Sequence, residues 1–233
     1  MKRWEPSARL ALSAGWESRP REVGSTLWTD DPVDADALEE PHLNAVVVRR
    51  QGHEALAAYA RTISEKVPFQ AEALVSCGEP NGFDGLDAFA AELPPDDARD
   101  VLLSDIAFWC EVVSYLSGAP EVVVRLNRLA SPVFPGFLVD PGTVRLVCTY
   151  AGPSSQWLEE RDVDRALLGP RGLVPPEVIR LGAVVQCCSP LDVVLLKGRM
   201  WPLSSGVVYR APAPSAPRLL LSIEPAYRHE GYS

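Results

Sequence analysis

Few residues in the chain have the types and spacing that chemistry needs, and the first of them are Asp140, Tyr209 and Arg210. Asp140 stands before Pro141-Gly142, so it is either a proton-handling carboxylate or a turn carboxylate that bonds its own backbone. Tyr209 is either a proton donor or an amphipathic wall residue. Arg210 closes an apolar run before Ala211-Pro212. It can clamp a carboxylate or phosphate bidentately, or form an internal bridge to Asp140 or Glu224. Arg125 and Arg145 alternate with apolar residues; they either line a barrel or face water, and exposure is the default. Lys197-Gly198 reads as a strand end with a left-handed turn, because a Schiff-base lysine would need a desolvated pocket.

Other chemistries are poorly supplied. Cys77, Cys110, Cys148, Cys187 and Cys188 include no Cys-x-x-Cys pair and are odd in number, which fits reduced thiols rather than a disulfide framework or a zinc ribbon. Cys187 and Cys188 are strand neighbours and point to opposite faces. His42, His53 and His229 form no paired metal motif. There is no glycine-rich phosphate loop, no serine elbow and no nucleotide fingerprint.

The elements that must position these residues change character midway. Leu102, Ile106, Trp109, Val113 and Leu116 recur at spacings of 4, 3, 4 and 3 between Asp96, a first-turn cap, and Gly118, a stop. Leu56, Tyr59, Ala60 and Ile63 mark an earlier helix that ends before Pro68. After residue 120 the period falls from 3.6 to 2. Strands are expected at 121–129, 143–150, 181–188, 191–197, 206–210 and 218–224, without intervening helices beyond a short one in 157–168. The expected fold class is α+β: a helical N-terminal half packed on an antiparallel jelly roll, with a ligand at the mouth of the roll. The expected organisation is a loosely folded acidic arm over 1–42, anchored if at all by Trp16 and Trp28. A single domain over 43–226 follows, mainly helical to 119 and jelly roll from 120, and then a tail over 227–233.

The segments Phe137-Leu138-Val139-Asp140, Leu146-Val147-Cys148-Thr149-Tyr150-Ala151-Gly152-Pro153, Gln156-Trp157-Leu158, Leu196-Lys197-Gly198 and Tyr209-Arg210-Ala211-Pro212 resemble the bacterial family catalogued as domain of unknown function 1826. The resemblance runs from about residue 40 to 226. It implies a Phe-His-x-Asp segment and a later His-Arg-Ser-Pro segment on strands. That is the order of the facial triad holding non-haem iron in double-stranded β-helix oxygenases that also take a 2-oxo acid. Here the two histidine positions are Leu138 and Tyr209, Pro135-Gly136 is additional, and Ser131 stands at a cysteine position. Leucine cannot ligate a metal, and a phenol must lose a proton near pH 10 before it ligates well. No cofactor and no metal site are therefore expected. A metal site of another kind would need Asp140 with a cysteine and a distant histidine. If the ancestral positions shared an ion, their replacements share its neighbourhood, so Asp140, Tyr209 and Arg210 are expected to converge on one cavity.

Composition limits the partners. The 233 residues carry 22 basic and 31 acidic side chains, a net charge of −9, which argues against a phosphate-backbone partner. No apolar run approaches the length of a membrane span, and no secretory pattern follows Met1, so a cytoplasmic protein is expected. Two readings stay open. One is a degenerate oxygenase-like scaffold that binds a small organic anion, with or without metal-independent catalysis. The other is a non-catalytic small-molecule-binding or regulatory protein. Oligomeric state is not legible.

Overall fold

The computed structural model describes residues 24–51, 53–65, 68–78, 85–130, 136–169, 174–213 and 216–226. Its strands are β1 (Thr26–Thr29), β2 (Ala45–Val48), β3 (Gln70–Ser76), β4 (Glu121–Leu129), β5 (Leu138–Val139), β6 (Val144–Ala151), β7 (Gln156–Leu158), β8 (Val185–Cys187), β9 (Val193–Lys197), β10 (Val208–Arg210) and β11 (Arg218–Pro225). The helices are α1 (Glu54–Glu65), α2 (Leu86–Glu92) and α3 (Arg99–Ser117), and short 3-10 turns lie between them.

Two sheets face each other. The larger has the order β1-β2-β9-β6-β11-β4-β3, and the smaller has the order β5-β10-β7-β8. All pairs are antiparallel except β1 with β2. This is a mixed α/β chain built mostly of sheet, with the double-sheet plan of a jelly roll.

Strand alternation sorts the side chains into layers. On the outer face of the large sheet, Val144, Leu146, Cys148 and Tyr150 of β6 and Leu219, Leu221 and Ile223 of β11 pack against the helices. The helical side of that core includes Leu56 and Ile63 of α1 and the α3 stripe Leu102, Ile106, Trp109, Val113 and Leu116, all buried as their spacing requires. Asp96 accepts from the Ala98 backbone N–H at 2.8 Å just before α3, and Gly118 ends that helix at φ 68°. The inner face carries Ala45, Val47, Val147, Val194 and Leu196 against Trp157 and Val207. A third cluster, with Phe137, Val139, Leu158, Val163, Val178 and Val208, lies on the outer side of the small sheet.

Two expectations need correction. The N-terminal half is not purely helical, because β1, β2 and β3 belong to the large sheet. Val46, Val47 and Val48 are buried on both faces of that sheet, so they form an unbroken apolar run rather than an alternation. The Ala-containing β3, held by β4 on one side, has weak strand propensity of its own. The second correction concerns the arm. Residues 1–23, with Trp16, and the tail 227–233 lie outside the described residues, but the stretch from Gly24 is built into the fold. Ser25 donates through its backbone N–H and its hydroxyl to Glu159 Oε2 at 2.6 and 2.7 Å. Trp157 Nε1 donates to Thr26 Oγ1 at 3.0 Å, and Trp28 lies 5.7 Å from Trp157 between ring centroids. Leu38 is fully buried against the helical core.

A polar cluster ties α3 to the sheet. Asp105 accepts from Arg50 at 2.5 Å, Tyr150 at 2.6 Å and Trp109 Nε1 at 3.2 Å, while Arg50 Nη2 also reaches Cys148 Sγ at 3.1 Å. Burial pushes the Cys148 thiol up to about 12, although Arg50 opposes the shift.

Truncating Trp109 to alanine removes core volume and a donor to Asp105, and should cost about 3–5 kcal/mol in urea unfolding. The raised Cys148 thiol contributes stability that is complete below the unfolded-thiol value of about 8.5 and fades as pH climbs toward the native value. The urea midpoint should therefore fall between about pH 8 and 10, and fall less in Cys148→Ala.

Candidate functional site

Asp140 sits in the turn between β5 and β6 with 3% of its surface exposed, so its charge needs partners close at hand. Its Oδ1 accepts the Gly142 backbone N–H at 2.8 Å, the local turn bond that its place before Pro141-Gly142 suggests. Its Oδ2 accepts from Arg145 Nε and from the Tyr209 hydroxyl, the latter at 3.2 Å. The turn is stitched to the segment after β9: Arg199 N–H bonds the Asp140 carbonyl at 2.8 Å, and Met200 N–H bonds the Gly142 carbonyl at 2.9 Å. Gly198 is required there by close approach and not by a left-handed φ, since a Cβ would collide with the Gly142 carbonyl.

Arg145 belongs to a charge ladder across the inner face of the large sheet. Its Nη2 lies 2.6 Å from Glu224 Oε2, and Glu224 Oε1 also pairs with Arg125 Nη1, whose Nε lies 2.8 Å from Glu72. Burial by itself would lower the Arg145 guanidinium, but Tyr209, Asp140 and Glu224 outweigh it and raise it. Arg125 and Arg145 are thus both paired, because the register sets carboxylates beside them, with Arg125 on the more exposed flank and Arg145 the more shielded.

Of Asp140, Tyr209 and Arg210, the structure brings the first two into contact. Tyr209 is in register with Leu138 on one side and Trp157 on the other, and its side chain turns into the space between the sheets. Burial, with Asp140 and Glu224 nearby, raises its phenol well above the ordinary value against the opposing pull of Arg145. Arg210, one residue on, faces the other way. Its Nε donates to Gln156 Oε1 at 2.8 Å, and its guanidinium lies 4.4 Å from the Phe137 ring centroid. Two successive strand residues cannot share a face, so Arg210 is a structural residue of the small sheet's outer side.

The interior cation that sequence reasoning passed over is Arg218, at the start of β11. Only 7% of it is exposed, its Nη1 reaches Ser155 Oγ at 3.4 Å, and no carboxylate among the described residues pairs with it. Burial lowers its guanidinium from the ordinary value, while Tyr209 lies within electrostatic reach. A charged residue opening an apolar strand reads as a solvated end. What could have exposed it is its phase with Leu220, Ser222 and Glu224 on one face.

The geometry defines a double-sheet jelly roll with a polar interior at the Asp140–Tyr209 contact. Residues 29–224 match the family model described as protein of unknown function (DUF1826), and the chain belongs to that family. No curated protein matches it. A crystal structure of a dioxygenase for auxin oxidation from rice shares the fold at a TM-score of 0.51 and 16% identity, covering 84% of this chain and 77% of that one. Lower-scoring similarities include IDO from Bacillus thuringiensis, with TM-score 0.44, 10% identity and coverages of 85% and 99%. A full-length Neurospora crassa protein in complex with alpha-KG gives TM-score 0.42, 13% identity and coverages of 87% and 82%.

The positions at which the family resemblance implies metal ligands hold Leu138, Asp140 and Tyr209. Among the described residues no three His, Cys, Asp or Glu side chains gather as a ligand set. Leu138 offers no donor. Asp140 Oδ2 is already shared by a guanidinium and a phenol, so a permanent cation stands where a divalent ion would need the carboxylate. His229 lies outside the described residues.

Restoring histidines at both positions, in Leu138→His/Tyr209→His, should therefore yield no tight site while Arg145 remains. Equilibrium dialysis against zinc should find less than one ion per chain.

Proposed function

We propose that this protein is a degenerate oxygenase-like scaffold that binds a small organic anion between its two sheets without iron, and that it binds without turning the ligand over. The observation that carries the reading is Arg218, a shielded guanidinium with a hydroxyl partner and no carboxylate among the described residues. A buried cation without a counter-ion costs several kcal/mol of stability, and such a cost is typical of residues kept for a ligand. A carboxylate arriving at Arg218 would supply the missing charge through a bidentate pair.

The non-catalytic choice rests on Asp140 and Tyr209. Asp140 has three donors on its oxygens, and the Tyr209 proton is engaged by that carboxylate. Neither group is free to take up or release a proton at a ligand atom, which general acid–base catalysis requires. Among the described residues no helix is long and apolar enough to cross a membrane.

Arg218→Met should raise the basal melting temperature, because it removes an uncompensated buried charge, and should abolish thermal stabilisation by malonate, succinate and glutarate. Arg210→Ala should do the reverse, lowering the basal melting temperature and leaving the response to acids intact. A wild-type protein that no small carboxylate stabilises, substituted or unsubstituted, would remove the anion reading.

A further inference from the structure

Among the described residues, two shielded oxygens stand without a hydrogen-bond partner, Ser154 Oγ and Asn127 Oδ1, and the second lies beside Arg218 in register. Asn127, on the inner face of β4, has its Oδ1 shielded from solvent and without a hydrogen-bond partner among the described residues. A buried polar atom left unpaired is destabilising by about 1–3 kcal/mol, and native interiors contain few of them. Its position is specific. Asn127 is in register with Leu220 of β11, while Arg218 is in register with Leu129, so Asn127 and Arg218 are diagonal neighbours on the same face. Diagonal cross-strand neighbours have backbones roughly 7–8 Å apart, within joint reach of one small molecule.

Tyr209 adds a second acceptor. An ionised carboxylate can only accept, so the Tyr209 hydroxyl spends its proton on Asp140, and its oxygen lone pairs are what it presents elsewhere. The phenol packs on the cluster between the sheets, as does Leu220, whose side of β11 Arg218 shares. The other interior arginines cannot answer these acceptors, because Arg145 is held by Asp140 and Glu224, and Arg125 by Glu224 and Glu72. This inner face therefore carries one cation without a carboxylate partner among the described residues, an unpaired acceptor diagonal to it, and the phenol oxygen of Tyr209 turned to the same side of the large sheet.

We propose that this pocket selects carboxylates bearing a hydrogen-bond donor, a hydroxy or amino acid, with the carboxylate on Arg218 and the donor on Asn127 Oδ1 or the Tyr209 oxygen. The proposal rests on the anion reading above and assigns Asn127 as the residue that sets specificity. A 2-oxo acid of the same skeleton turns oxygen lone pairs toward both acceptors and is rejected. An unsubstituted acid leaves both acceptors unpaired in the complex. A site built around a hydrogen bond discriminates strongly against an analogue that lacks it.

Calorimetric titration with two matched sets separates the alternatives: 2-hydroxyglutarate, glutarate and 2-oxoglutarate, and lactate, propionate and pyruvate. In at least one set the hydroxy acid should bind roughly tenfold more tightly than the other two, the size of one well-formed hydrogen bond. Asn127→Leu removes an orphaned acceptor, should fold at least as stably as the wild type, and should reduce that preference to threefold or less. Asn127→Asp can only accept. It should weaken all the acids through its added charge and keep their order, whereas an amide turned to present its NH₂ group would lose the order in this variant. Equal binding of all three acids, or tighter binding of the oxo acid, overturns the donor proposal and leaves the anion pocket standing. Binding of none overturns both.

Discussion

Asp140 must keep a negative charge out of water, and Arg145 is what lets it do so. Their pairing would be expensive in isolation, since both groups leave solvent. It is sustained because Glu224 holds the far side of the guanidinium and the Gly142 N–H and Tyr209 hydroxyl occupy the remaining carboxylate positions. Backbone bonds from Arg199 and Met200 hold the same turn against the segment after β9, and the ion pair links the end of β5 in the small sheet to β6 in the large one. The ladder from Glu72 through Arg125 and Glu224 to Arg145 spreads the cost over four adjacent strands.

Arg218 stands in contrast to this economy. It shares the sandwich interior with Arg145, yet a serine hydroxyl is its partner where Arg145 has two carboxylates. Among the described residues the interior thus contains a guanidinium paired with two carboxylates and another paired with none. A guanidinium keeps its charge at any pH near neutrality, so the difference between the two is permanent.

Local pattern made α3 and the strands 121–129 and 218–224 legible, because each carries one periodicity over its length and is bounded by Gly or Pro. Asp140 was legible as a turn carboxylate for the same local reason. β1 and β2 were not, since Val46, Val47 and Val48 are apolar in succession, and β5 and β7 are two and three residues long. The site was half legible. Resemblance pointed to Asp140 and Tyr209, but Arg218 and Asn127 meet through cross-strand register between segments about 90 residues apart, and Arg145 reaches its second carboxylate, Glu224, across 79 residues, which no window of sequence contains. Arg210 was misread because its neighbour's face was assigned to it.

β11 occupies the middle of the large sheet, between β6 and β4. It is also the last of the described strands in sequence, and both of its neighbours pair along most of its length. During synthesis on the ribosome the sheet therefore exists as two separate halves, one around β6 and β9 and the other β3 with β4, until residues 218–225 have emerged to join them. Until then the facing edges of β6 and β4 and the apolar face that covers α3 stand open, and the nascent chain depends on being shielded from its neighbours. The polar interior is assembled in that same final step, because Glu224 and Arg218 arrive on the strand that closes the sheet.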